Sequence, residues 1–194
     1  MKSYAPPDTL RAARALLGIS QGELAKEIGF SRQSVSAAEN DTSSPMPTIA
    51  KMREFYEKKG LQFLGTVDID IGRIDGAGVR WRPPQSPPTD DAVVGQFHTE
   101  SEGAAVEAAR SLLGRSRAMV SQEAKVPFKE LGALEAGEHY SRETVTRLRD
   151  YFANFGIEFL SWGDLGSRTY FGVGVRWRSL KPSNSTSHQK PSLH

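Results

Sequence analysis

Apolar residues over the first sixty positions recur at helical spacing, interrupted by short polar or glycine punctuation. Asp8 is placed to cap a helix in which Leu10, Ala13 and Leu17 share one face and Gly18 makes the stop. Ser20 and Glu23 form a capping-box signature for a helix over 21–28, with Leu24 and Ile28 inward and Gly29 closing it. Ser31 is placed to cap a third helix over 32–39 that buries Val35 and Ala38. After the break at Ser43-Ser44-Pro45-Met46-Pro47, a longer helix is predicted from Thr48 to Lys59. Its stripe is Ile49, Met52, Phe55 and Tyr56, and Gly60 ends it. Beyond Gly60 the period falls to two. Residues 61–64 and 78–82 read as strands, with Val67, Ile69 and Ile71 alternating between them.

The same plan then returns. Shifted by 96 positions, residues 11–82 align with 107–178 without a gap and with 22 identities among 72 positions. Ala12-Ala13-Arg14 matches Ala108-Ala109-Arg110, and Leu16-Leu17-Gly18 matches Leu112-Leu113-Gly114. Gly78-Val79-Arg80-Trp81-Arg82 matches Gly174-Val175-Arg176-Trp177-Arg178. The second copy predicts a first helix through Leu113, a third over 129–135, a fourth over 142–155 behind Ser141, and strands at 157–160 and 174–178. The expected fold is therefore α+β, mainly α, in two tandem units. Each unit has about four helices followed by a small antiparallel β-hairpin or sheet. The boundaries expected are 1–82 and 100–179 for the units, 83–99 for a Pro-rich linker and 180–194 for a disordered tail. As a loose coil the linker spans about 20–25 Å.

Units this small sit near the lower limit for independent folding, so packing of one on the other would support both. There is no cysteine, which removes disulfides and thiolate metal sites and suits a reducing compartment. The segment MKSYAPPDTL lacks an apolar signal core, and no stretch has membrane-spanning length. A soluble cytoplasmic protein is expected. Net charge is only +2, divided as 12 basic against 10 acidic groups in residues 1–82 and 11 against 11 in 100–179. Affinity for a polyanion must then come from where the cations sit, not from their number.

One segment carries chemistry. Gly18-Ile19-Ser20-Gln21, Leu24-Ala25, Ile28-Gly29-Phe30-Ser31-Arg32-Gln33-Ser34-Val35-Ser36 and Glu39-Asn40 follow in order. The small Ala25 permits two helices to cross closely, Gly29 supplies a sharp turn, and Val35 plugs the core beneath the third helix. Over residues 9–60 this resembles the lambda-repressor/Cro-like helix-turn-helix family, the xenobiotic-response-element-type regulators. The resemblance implies that the third helix lies in the DNA major groove with its first residues at base edges. It implies that Gln21 contacts phosphate at the start of the second helix and that Asn40 contacts the backbone past the reading helix. Arg32, Gln33 and Ser36 fall at positions that face bases, with Ser31 and Ser34 at the rim. Arg pairs with guanine and Gln with adenine, each worth about 1–3 kcal/mol of discrimination; the alternative for Arg32 and Gln33 is a solvated helix face.

The second copy departs where bases would be read. Arg117 stands for Gln21, Phe128 for Arg32, Lys129 for Gln33, Gly132 for Ser36 and Ala136 for Asn40. Three readings stay open: DNA contact through Arg115, Arg117, Lys125 and Lys129 with little base readout, recognition of a different half-site, or a packing role alone. For the Gly-Val-Arg-Trp-Arg strands, one reading is core packing by Val79 and Trp81 beneath solvated arginines. The other is edge pairing between copies, giving a pseudo-dimer within one chain; a homodimer through the C-terminal strands is a further use of such edges.

His98, His139, His188 and His194 lack ligand spacing, and the glycine-rich run 72–78 lies between strands and opens no helix. No enzyme, cofactor, metal or small-molecule ligand is expected. The function expected is a sequence-specific DNA-binding transcriptional regulator with double-stranded DNA as its partner. The alternative is a protein-interaction module such as an antirepressor, antitoxin or adaptor that retains the fold.

Overall fold

The computed structural model describes residues 5–41, 43–67, 74–86, 88, 94–138, 140–164 and 168–179. Among these, eight helices and a five-stranded antiparallel sheet form one α+β arrangement. The first half contributes α1 (Pro7–Leu16), α2 (Gln21–Ile28), α3 (Arg32–Asn40), α4 (Met46–Lys58), β1 (Leu61–Val67) and β2 (Ile74–Trp81). After the short β3 (Thr99–Glu100), the second half contributes α5 (Val106–Leu113), α6 (Arg117–Glu123), α7 (Phe128–Glu135), α8 (Arg142–Asn154), β4 (Ile157–Asp164) and β5 (Thr169–Trp177). Ile69, Ile71, Gly72, His139 and the 180–194 tail lie outside the described residues. No helix among the described residues is long and apolar enough to cross a membrane.

The helix starts follow their caps. Ser20, Ser31, Ser116 and Ser141 each accept a hydrogen bond from the backbone N–H three residues on. Asp8 does not cap α1. Pro6 is the cap, because a proline at the first helical position, Pro7, starts the helix two residues earlier. Asp8 instead lies in the first turn, where its Oδ2 accepts from Trp177 Nε1 at 2.6 Å, across the molecule. α4 likewise begins two residues before Thr48, at Met46 behind Pro45. The strands run longer than the sequence pattern suggested, because cross-strand pairing resumes after a register shift past Leu64 and past Leu160.

The halves meet in two layers. In the sheet, β2 pairs with β5 at Gly78↔Arg176, Val79↔Val175 and Arg80↔Gly174. At the centre, Val79 faces the residue 96 positions ahead of it, and a glycine faces an arginine on either side. β1 and β4 pair with β2 and β5 on their outer sides. Beneath the sheet, α1 packs on α5, and Ala12, Ala13, Ala108 and Ala109 are all buried. Small side chains there let two helix backbones approach closely. The core runs without interruption through both halves, from Leu10, Leu24, Ile49, Met52 and Tyr56 to Leu112, Leu131, Leu148 and Phe152. Val79 and Val175 are fully buried and Trp81 nearly so, while Arg80 lies over Gln62.

Part of 83–99 is attached to this body. Pro84 is buried, the His98 ring stacks on Trp81 at 3.6 Å, and Thr99, assigned to the linker by composition, opens β3 opposite Phe171. The two tryptophans of the paired strands differ. Trp177 Nε1 donates to Asp8, whereas Trp81 Nε1 is buried without a partner, and Ala104 stands 96 positions after Asp8.

Candidate nucleic-acid interface

α2 and α3 are set at their angle by short-range chemistry. Ser20 and Glu23 close the capping box in both directions: Glu23 N–H donates to Ser20 Oγ at 3.2 Å, and Ser20 N–H to Glu23 Oε2 at 2.7 Å. This bonding to Ser20 holds the Glu23 carboxyl below its usual range. Gly29 then turns the chain at φ +72°, a conformation costly to residues with a Cβ, and Phe30 N–H returns to Ala25 O. Leu24, Ala25, Ile28, Val35 and Ala38 take the inner face. The outer face of α3 is consequently free. Ser31, Arg32, Gln33 and Asn40 are exposed, and Ser34 and Ser36 are half-buried. Ser31 Oγ accepts from Ser34 N–H, and Asn40 Nδ2 donates to Ser36 O at 2.7 Å, so neighbours on this face are ordered by one another.

Gln21 sits at the first position of α2 but turns inward. Its amide Nε2 donates to Glu39 Oε2 at 2.9 Å. Glu39 is fully buried, and Arg14 grips both its oxygens, Nε to Oε1 at 2.6 Å and Nη2 to Oε2 at 3.1 Å. Burial alone would lower the Arg14 pKa, yet the bond to Glu39 and its charge outweigh burial and raise it. Arg11 reaches the same point, donating to the Glu39 backbone carbonyl, and also donates to Ser111 O at 3.0 Å in the other half.

The second half repeats this lock with one more cation. Arg110 grips Glu135 at 2.7 and 3.2 Å, and Arg117, which stands where Gln21 does, adds Nε to Oε2 at 2.8 Å. Arg117 is therefore tied to a buried carboxylate while its guanidinium carbon stands 5.8 Å from the centre of the Phe128 ring. Phe128, first residue of α7, is 52% exposed, and Lys129 beside it is exposed too. Arg115 pairs with Glu123 at 3.5 Å and lies over Phe155. The turn between α6 and α7 keeps the left-handed form with Lys125 at φ +54° in place of Gly29.

Sequence reasoning missed the glutamate locks and the bridging role of Arg11. The signal available was the pair Arg14 and Glu39 returning as Arg110 and Glu135, the glutamate kept although every position from 28 to 36 differs between the copies. A cleft of about 430 Å³ opens along the seam between the halves. Arg11, Arg14 and Asn40 line it from one side and Arg110, Arg115 and Ser116 from the other.

Residues 10–60, covering α1 to α4, match the helix-turn-helix family model, and this segment is a helix-turn-helix domain. A protein of Archaeoglobus fulgidus, provisionally named an HTH-type transcriptional regulatory protein, is 36% identical over 67 residues. Those residues are 33% of this chain, and the chain spans only about a fifth (22%) of that relative's length. No solved structure matches the chain.

Proposed function

We propose that the chain is a sequence-specific DNA-binding transcriptional regulator whose α3 lies in the major groove of an operator. The observation that carries this reading is Arg32 and Gln33 standing side by side and exposed at the start of a helix whose opposite face is anchored by Val35. Arg32 is suited to guanine O6 and N7 and Gln33 to adenine N6 and N7, with Ser36 one turn further along. Ser31, Ser34 and Asn40 border that contact. With the Gln21 amide held by Glu39 and the Glu23 N–H capped by Ser20, phosphate at the start of α2 falls to the backbone N–H groups of Gln21 and Gly22, ahead of the first intrahelical bond. The printed name of the Archaeoglobus fulgidus relative supports a regulatory role.

Residues 1–82 and 100–179 are, in this reading, two copies of one unit joined by 83–99, and together they act as a pseudo-dimer within one chain. The second copy is a divergent helix-turn-helix that adds Arg115, Arg117 and Lys129 near phosphate. Helix-turn-helix half-sites are spaced about 34 Å apart, and linking two modules raises the local concentration of the second.

The test is a gel-shift comparison of an operator, selected from a random duplex pool, with scrambled DNA. The double variant Arg32→Ala, Gln33→Ala is expected to lose the preference for the operator while keeping salt-dependent affinity for both. Unchanged preference overturns the assignment of α3. Absence of salt-sensitive DNA binding at micromolar concentration favours the protein-interaction alternative, for which exposed Phe128 would be the contact.

A further inference from the structure

We infer that Phe128 is a specificity-determining residue, seated against the C5-methyl group of a thymine in the same duplex that α3 reads. This rests on the DNA-binding reading above and adds to it a base preference for the second half. Phe128 occupies in α7 the place that Arg32 occupies in α3, first residue of the helix and exposed. Its ring is propped away from the core. Arg117 stands over it at 5.8 Å, and Glu135 fixes Arg117 in turn.

A phenyl ring can neither donate nor accept a conventional hydrogen bond. Of the base edges in the major groove, only thymine offers an apolar group, its methyl. The surroundings fit a duplex better than an apolar protein surface. Lys129 follows the ring in sequence and is exposed, and Arg117 flanks it, so cations border an apolar contact as phosphates border a methyl group. A basic cleft also lies between the two halves. The seam cleft is lined by Asn40 at the end of α3 and by Ser116 at the start of α6, adjacent to Arg117, with Arg11 and Arg115 between. A polyanion that runs from the end of α3 into this cleft meets arginines from both halves.

The experiment uses the full chain and a selected duplex of about 30 base pairs. Deoxyuridine replaces thymine one position at a time in the half of the site that Arg32→Ala leaves unaffected. Uracil lacks only the methyl. At one position, wild-type affinity is expected to fall three- to fivefold, the scale of one methyl group's transfer from water. Phe128→Ala is expected to bind the thymine and uracil duplexes equally. Phe128→Leu keeps an apolar contact and is expected to retain part of the ratio, with circular dichroism confirming that both variants fold. Equal wild-type affinity for thymine and uracil duplexes at every position, with the Arg32 effect intact, overturns the role of Phe128 and leaves the regulator reading standing. Failure to enrich any duplex removes both.

Discussion

At the scale of single residues, the most consequential side chain is Glu39, a carboxylate with no exposure to water. A buried charge persists only when its partners compensate for lost hydration, and here one cation and one neutral amide do so. Removing Arg14 leaves Glu39 with Gln21 alone, so Arg14→Ala is expected to cost about 3–5 kcal/mol, read in urea unfolding. Glu135 has two cations, so Arg110→Ala leaves Arg117 in place and is expected to cost distinctly less. Equal losses would contradict the locks as described. These locks were hard to foresee because a glutamate at the end of an exposed helix reads as a surface charge. Its partners lie 18 and 25 positions earlier, beyond the reach of any helical period. The same blindness hid the bonds of Gln21 and Arg117 to those carboxylates, whereas the exposure of Arg32 and Gln33, next to a local cap, was legible from sequence.

At the scale of elements, the turn between α2 and α3 and that between α6 and α7 adopt one left-handed conformation with two different residues. Gly29 has it at φ +72°, and Lys125 at φ +54°. A side chain in that region costs roughly 1–2 kcal/mol, partly offset by the greater freedom that glycine loses on folding. Gly29→Ala is accordingly expected to lower the melting temperature, and Lys125→Gly to raise it by the equivalent of about 0.5–1 kcal/mol. A fall in melting temperature for Lys125→Gly would show that the lysine side chain contributes more than its backbone costs. Helix positions were legible because caps and glycines act over three or four residues. The strands were found but cut short, since the pairing register shifts just past Leu64 in β1 and Leu160 in β4, where the sequence reading ended them. β3 was missed, being two residues long and defined only by its partner β5.

At the scale of the molecule, the decisive contact is between β2 and β5, and it depends on close approach at two glycines. A Cβ on Gly78 would lie 2.3 Å from Arg176 Cβ and 2.4 Å from Val175 O, and one on Gly174 would lie 2.3 Å from Val79 O. Backbone, unlike the end of a long side chain, cannot step aside. Gly78→Ala and Gly174→Ala are each expected to destabilise the protein by well over the roughly 1 kcal/mol of an average substitution. Gly22→Ala, where a Cβ meets nothing closer than 3.8 Å, is expected to be neutral within about 0.5 kcal/mol. Denaturant titration followed by tryptophan fluorescence reads both, since Trp81 and Trp177 lie on the paired strands. If Gly78→Ala is as mild as Gly22→Ala, the pairing contributes little to holding the halves together. Sequence alone offered this pairing as one option, since each Gly-Val-Arg-Trp-Arg strand also reads as ordinary core.

A strand that finds its neighbour on its own polypeptide is always supplied with it at one-to-one stoichiometry. Dilution cannot separate the two surfaces, as it separates subunits that meet only by collision. Nor are those surfaces bound to be identical. In an assembly of two like chains every substitution arrives twice, on both flanks at once. Here Asp8 corresponds in sequence to an alanine, and Arg32 to a phenylalanine, because each flank is written by its own stretch of chain.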